Sequence, residues 1–236
     1  MTNRKSLTPL EVVVIATVVL ALIAILYPMV RSQRLAAERV RRHYRLRAVG
    51  MGLHNFNDAY QMPSAVRRDK SGRALCSWRL QILPFMEAML GIDFSDRWDN
   101  PANEVLINIP ISYYCFPPDM DSLNTNVAAI TGPGTAFDED HVVSVLDLDH
   151  DTILVVEIAD SSTHWAEPGG DLSIGNVPES IVRGVDGTGF NVLFADGAVW
   201  FLKADVPLEN VEKFFTIDGA ERYDRDELLA PYADTE

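Results

Sequence analysis

Cysteine is scarce in this 236-residue chain, which has two, Cys76 and Cys115. So few exclude a disulfide-dense scaffold, and their wide spacing excludes a thiolate zinc knuckle. Two readings stay open. One is a bridge closing a loop of about forty residues, worth roughly 4 kcal/mol in the loop-entropy model. The other is a pair of buried small hydrophobes. Histidine is nearly as rare, at five. No HExxH occurs. His164 and Glu167 stand three apart, and His54, His141 and His150 lie elsewhere, so the common zinc patterns are missing. Ser122 and the pair Ser161-Ser162 lack a Gly-x-Ser-x-Gly setting. Gly132-Pro133-Gly134 is not followed by the Lys-Ser/Thr of a phosphate loop and reads as a turn. Trp78, Trp98, Trp165 and Trp200 read as core aromatics rather than a sugar-stacking platform. The chain has neither internal repeat nor low-complexity tract. With no nucleophile, base or cofactor motif assembled, it reads as non-enzymatic and without a cofactor.

Positive charge is missing from most of the chain. Residues 51–236 carry eleven Lys/Arg against thirty-two Asp/Glu, a net −21, and would repel the phosphates of nucleic acid. Residues 1–50 carry nine Lys/Arg against two Glu, a net +7. The basic block 31–47 directly follows an apolar run, which suits lipid headgroups better than nucleic acid.

That run, Val12–Val30, is nineteen uncharged and mostly apolar residues. At ~1.5 Å per residue it reaches roughly 28 Å, close to the hydrocarbon thickness of a bilayer. It has no polar face, so it is not the helix of a soluble core. It is too long for a signal-peptide core and ends in Tyr27-Pro28-Met29-Val30-Arg31 without an Ala-x-Ala cleavage pattern. A retained single span follows. Beyond it Leu46, Val49, Leu53, Phe56 and Tyr60 recur at three- and four-residue steps, one stripe of an amphipathic helix. The spacing predicts one helix of some fifty residues, kinked at Pro28, whose second half lies on a globular domain.

Glu11 at the threshold of this run completes a pattern. Arg4 and Lys5 lie in a short leader, Met1 to Ser6, and a chain beginning at Leu7 has Glu11 as its fifth residue and Pro28 as its twenty-second. This resembles the N-terminus of type IV prepilins and type II secretion pseudopilins. Those families usually have Gly and Phe where Ser6 and Leu7 stand, and an apolar residue in place of Pro9. The resemblance implies cleavage between Ser6 and Leu7 by a prepilin peptidase. It also implies that Glu11 pairs with the N-terminal amine of a neighbouring subunit, a copy of this chain or another pilin-like protein. Such a pair neutralises two charges that would each be costly in lipid. At a helix N-terminus, Glu11 is also favourable at the interface alone.

Further blocks resemble a large family of bacterial pilin-like proteins whose C-terminal domain has no known function and ends in His, nine residues, then Asp-Gly. They are Leu53-His54-Asn55-Phe56, Ser77-Trp78-Arg79, Leu83-Pro84-Phe85-Met86-Glu87, Trp98 to Asn103, Gly132 to Phe137, Thr152 to Glu157, His164 to Pro168 and Asn191 to Gly197. In the last motif Asp196-Gly197 is present, but the histidine position holds Asp186.

Within the soluble part, two short β-prone runs flank Asp196-Gly197 and predict a hairpin with a two-residue type I′ turn. A second strand pair is expected at Val142–Leu148 and Thr152–Ile158. Ser77 to Leu90 reads as a helix that Pro84 splits. Segments 61–75, 93–126 and 159–189 read as loops, and Asp218 to Glu236 as a loosely held polar tail. Two acidic loops are candidate calcium sites, Asp93, Asp96 and Asp99 with Asn100, and the alternating Asp147, Asp149 and Asp151. The second lacks the EF-hand glycine, and both read equally as solvated acidic turns. The resemblance adds weight to calcium, since some major pseudopilins bind it.

The expected organisation is α+β, a long N-terminal helix on a mostly antiparallel sheet. It comprises a leader 1–6, a transmembrane helix 7–30, its amphipathic continuation 31–60, a domain 61–217 and a tail 218–236. The resemblance implies a single-pass protein of the inner cell membrane with its domain outside the cytoplasm. The charge balance favours the reverse, with +2 before the span and a net +6 after it. Two functions are expected: a structural or assembly subunit of a surface or secretion apparatus, or a membrane-anchored module binding through its long loops.

Overall fold

An unbroken apolar run and an amphipathic stripe in series give one helix, α1 (Pro9–Tyr60), in the computed structural model of the chain. The structure describes residues 9–86, 91–116, 122–159 and 161–234. The chain divides into two compact units, Met1–Arg41 and Arg42–Glu236. In the first, α1 remains helical on both sides of Pro28. Its large apolar side chains, among them Leu20, Ile25 and Leu26, are exposed.

In the second unit, α1 continues from Arg42 and buries Leu46, Val49 and Leu53 completely. Two glycines let this part of the helix close on its neighbours. A Cβ at Gly50 would stand 2.9 Å from Leu193 Cδ1, and one at Gly52 would stand 2.5 Å from Met86 Cγ. A mid-helix glycine costs roughly 1 kcal/mol against alanine, a cost offset here by that approach.

After α1 come the hairpin strands β1 (Val66–Arg68) and β2 (Ala74–Ser77), then α2 (Trp78–Ile82) and a 3₁₀ turn over Leu83–Phe85. The helix expected over Ser77 to Leu90 is therefore broken at Pro84, and Glu87 to Leu90 lie outside the described residues. A short helix α3 (Glu104–Ile107) leads to the main sheet of β3 (Val127–Thr131), β4 (Ile153–Glu157), β5 (Leu172–Ser173), β6 (Gly189–Phe194) and β7 (Val199–Lys203). Helices α4 (Leu208–Glu212), α5 (Ile217–Arg222) and α6 (Arg225–Leu228) precede the last strand, β8 (Ala233–Asp234). Among the described residues the sheet order is β5-β3-β4-β6-β7-β8, antiparallel throughout except at β3–β5. The α+β architecture is thus the one expected.

All six residues of β6 are buried, because both faces of the sheet are covered. Leu193 and Ala195 face a core with Leu46, Val49 and Leu53 of α1 and Trp78 and Leu80 of α2. Phe190, Val192 and Phe194 face a second core with Val211, Phe214, Phe215, Ala220 and Leu229. This unit therefore has three layers: helix, sheet and a C-terminal segment.

Three expectations are corrected. The segment expected as a loosely held tail supplies α5, α6 and β8 and buries Ala220 and Leu229. Val142–Leu148 forms no strand. Ser144 caps a 3₁₀ turn at Val145–Asp147, and Asn57 Oδ1 on α1 accepts the Val145 N–H at 2.9 Å. The place beside β4 goes to β3 and β6 instead. The hairpin at Asp196-Gly197 has a three-residue loop, not a type I′ turn. Gly197 alone of the loop takes positive φ, at 82°, and its N–H donates to Phe194 O at 3.0 Å. A type I turn closed by a left-handed glycine has this form.

Candidate functional site

The Asp-Gly turn carries Asp196 to the rim of the sheet, where it meets the turn before β4 and the start of α6. Asp224 caps α6 by accepting the N–H groups of Asp226 and Glu227, which fixes Arg225 in the first turn. Arg225 then spans three partners. Its Nε lies 3.0 Å from Asp151 Oδ1, its Nη2 donates to Asp196 Oδ2 at 2.5 Å, and its guanidinium lies 4.7 Å from the Phe194 ring centroid. His150 Nε2 is 3.3 Å from Asp151 Oδ1, and its Nδ1 is 3.6 Å from Asp149 Oδ1. Asp149, His150, Asp151 and Arg225 edge a polar cleft of about 370 Å³ that Glu221, Tyr223 and Asp226 also line. Partial burial pushes the Asp196 carboxyl upward, but bonds from Arg225 and the Ala198 N–H outweigh it and hold the group below its ordinary range.

Of the calcium candidates, the structure brings Asp149 and Asp151 together with His150 and leaves Asp147 on the preceding 3₁₀ turn. The donor set fits a hard cation poorly. Arg225 already supplies positive charge to Asp151 and Asp196, and the third donor is an imidazole rather than oxygen. Asp93, Asp96 and Asp99 serve separate local bonds. Asp93 accepts from Ser95, Asp96 pairs with Arg73 at 3.1 Å, and Asp99 pairs with Arg97 at 2.9 Å.

Asp186, at the motif's histidine position, lies in a different cluster. Its Oδ2 accepts from Arg42 Nη2 at 2.6 Å, and its Oδ1 accepts the Thr188 N–H at 3.0 Å. Arg42 also reaches Glu157 Oε1 at 3.1 Å, while Glu157 Oε2 accepts from Asn191. Burial raises the Glu157 carboxyl against the pull of Arg42. Burial also acts on Asp186, but bonds from Thr188 and Arg42 prevail and lower it. The cluster ties α1 to β4 and β6 through carboxylate and guanidinium. An imidazole at 186 would not be needed for that.

Sequence reasoning missed Asp171. The Ser77-Trp78-Arg79 block buries both large side chains, and Asp171 Oδ1 accepts from Trp78 Nε1 at 2.9 Å and Arg79 Nη2 at 3.0 Å. The same oxygen accepts the Ala129 N–H at 2.9 Å, while Arg79 Nε donates to Val127 O at 2.9 Å. Arg79 and Asp171 thus satisfy β3 where β5 does not reach. The signal was a buried-looking Arg beside Trp that needs a carboxylate.

His164 of the histidine–glutamate pair has a structural place. His164 Nε2 donates to Ile107 O at 2.8 Å, its Nδ1 accepts the Ala166 N–H at 3.1 Å, and its ring stacks on Trp98 with centroids 4.6 Å apart. Burial lowers its pKa and keeps it neutral. Cys76 and Cys115 are free, so the bridge does not form. Both thiols are buried and pushed up to about 11, far from thiolate reactivity. Ser6 and Leu7 lie outside the described residues. Glu11 stands in the first turn of α1 and Pro28 within it.

α1 is long and apolar enough to cross a membrane. Residues 31–147 match the model of a protein family of unknown function, DUF1559. The DUF1559 match takes in Arg42, Arg79 and both cysteines. It stops before Asp149, Asp171, Asp186 and Asp196. No curated protein and no solved structure matches the chain.

Proposed function

We propose that this is a non-enzymatic, membrane-anchored, pilin- or pseudopilin-like protein, a structural or assembly subunit of a surface or secretion apparatus. One observation carries the reading: a single helix serves two solvents. Its apolar part is exposed through Val30, while its Leu46, Val49 and Leu53 stripe is buried in a folded domain. A helix of a soluble core would bury that apolar part. The subunit sits in the inner cell membrane with its domain outside the cytoplasm. A prepilin peptidase cuts between Ser6 and Leu7, and Glu11 pairs with the amine of a neighbouring pilin-like subunit. A plain anchor needs neither Glu11 nor a cut.

Intact-mass spectrometry of the full chain from its native membrane, beside Glu11→Ala, tests this. The expected result is a mature chain beginning at Leu7, with a methylated amine. A chain beginning at Met1 overturns the assembly reading and leaves a membrane-anchored binding module. The polar cleft edged by Asp149, His150 and Arg225 is the feature that favours such a module.

A further inference from the structure

The arginines that follow the apolar run are not all alike. Arg42 is buried and committed to Glu157 and Asp186, and Arg41 pairs with Glu38 at 2.6 Å. Arg31 and Arg34 are exposed, and among the described residues no carboxylate pairs with either. They belong to one helical face with Tyr27, at i, i+4 and i+7, and Tyr27 is 67 % exposed. Along the axis, a rise of ~1.5 Å per residue sets Arg31 about 1.5 Å and Arg34 about 6 Å beyond Val30. The headgroup layer outside the hydrocarbon is itself roughly 5–7 Å thick. If the span ends at Val30, both guanidinium groups fall at the depth of lipid phosphate, with a tyrosine ring at the interface where such rings are favoured.

We propose that Arg31 and Arg34, with Tyr27, form a binding face for the phosphate of an anionic phospholipid headgroup. A guanidinium fork matches a phosphate with two parallel N–H···O bonds, which an ammonium cannot reproduce. The face rests on the membrane span proposed above and adds to it a preference among lipids. It also reconciles positive charge after the span with a domain outside the cytoplasm, since these arginines are held by lipid at the surface where they lie.

The test reconstitutes the full chain in vesicles of phosphatidylcholine with a minority of phosphatidylglycerol. The vesicles are floated on a density gradient and extracted in detergent, and the retained lipids are quantified by mass spectrometry. Retained phosphatidylglycerol is expected to exceed its bulk share by roughly five-fold for each arginine engaged. R31Q/R34Q should float as the parent does yet retain lipids in bulk proportion. R31K/R34K should keep part of the enrichment, and R222Q, on α5, all of it. Parent protein that floats with lipids in bulk proportion overturns the headgroup face and leaves the anchor standing. Parent protein that does not float overturns the membrane reading itself. Enrichment that survives in R31Q/R34Q removes these two arginines from the assignment.

Discussion

The two faces of the main sheet are buried by opposite means. On the face toward α1 the core holds charged and polar groups: Arg42, Arg79, Glu157 and Asn191, all nearly or fully buried. The face toward the C-terminal segment is apolar and rich in phenylalanine, with Phe190, Phe194, Phe214 and Phe215. Directional bonds fix where a long helix lies along a sheet, because a guanidinium between two carboxylates tolerates little sliding. An apolar face carries no such instruction. It accepts several short helices whose positions are fixed at the rim, where Arg225 grips Asp151 and Asp196. One face is located by polarity and the other is held by burial.

Substitutions on opposite faces sharpen that contrast most strongly. Leu53→Ala should cost about 2–5 kcal/mol and Phe214→Ala about 3–5 kcal/mol in urea unfolding of the full chain in detergent. The double variant should lose their sum to within roughly 0.5 kcal/mol, as separate cores require. A larger departure would mean that β6 couples the two faces. Next in size is Arg79→Gln, which leaves Asp171 buried without its cation and should cost about 3–5 kcal/mol. A loss no greater than that of an ordinary surface change would remove polarity as the device that locates this face.

The smallest effect is a difference in sign with pH. Asp196 has a depressed carboxyl, so the unfolded chain binds its proton more readily. Its contribution is present above the unfolded value near ~3.9 and is lost as pH falls through the depressed one. Glu157 has a raised carboxyl, so the folded chain binds the proton more readily, and stability declines as pH rises from ~4.3 through the raised value. Asp196→Asn should flatten the acid limb of a stability–pH curve, and Glu157→Gln the limb above it. If both variants change the same limb, the two carboxylates do not differ as described.

The apolar stripe that α1 lays on the sheet was legible in the sequence, and the C-terminal layer on the opposite face was not. Leu46, Val49 and Leu53 recur at helical spacing over several turns, long enough for the period to stand out. α5 and α6 are six and four residues long, too short for any period, so Asp218 to Glu236 read as polar tail. One cue was available: Asp224-x-x-Glu227 has the spacing of a capping box and marks the start of α6. At the candidate site, the Asp-Gly turn and the Asp149 to Asp151 run were legible as turns. Their joining through Arg225 was not, because the partners come from segments some thirty to seventy residues apart. Asp171 was hidden for the same reason, lying 92 residues from Arg79.

The edges of the sheet bear on solubility. Both border strands, β5 and β8, are two residues long, and along β3 the groups beyond β5 are occupied by a side-chain carboxylate and a guanidinium rather than left open. An exposed row of backbone donors and acceptors is a template for strand addition and for amyloid-like growth. Here that template is nearly erased. The borders of the main sheet therefore offer a neighbouring copy little edge to pair with.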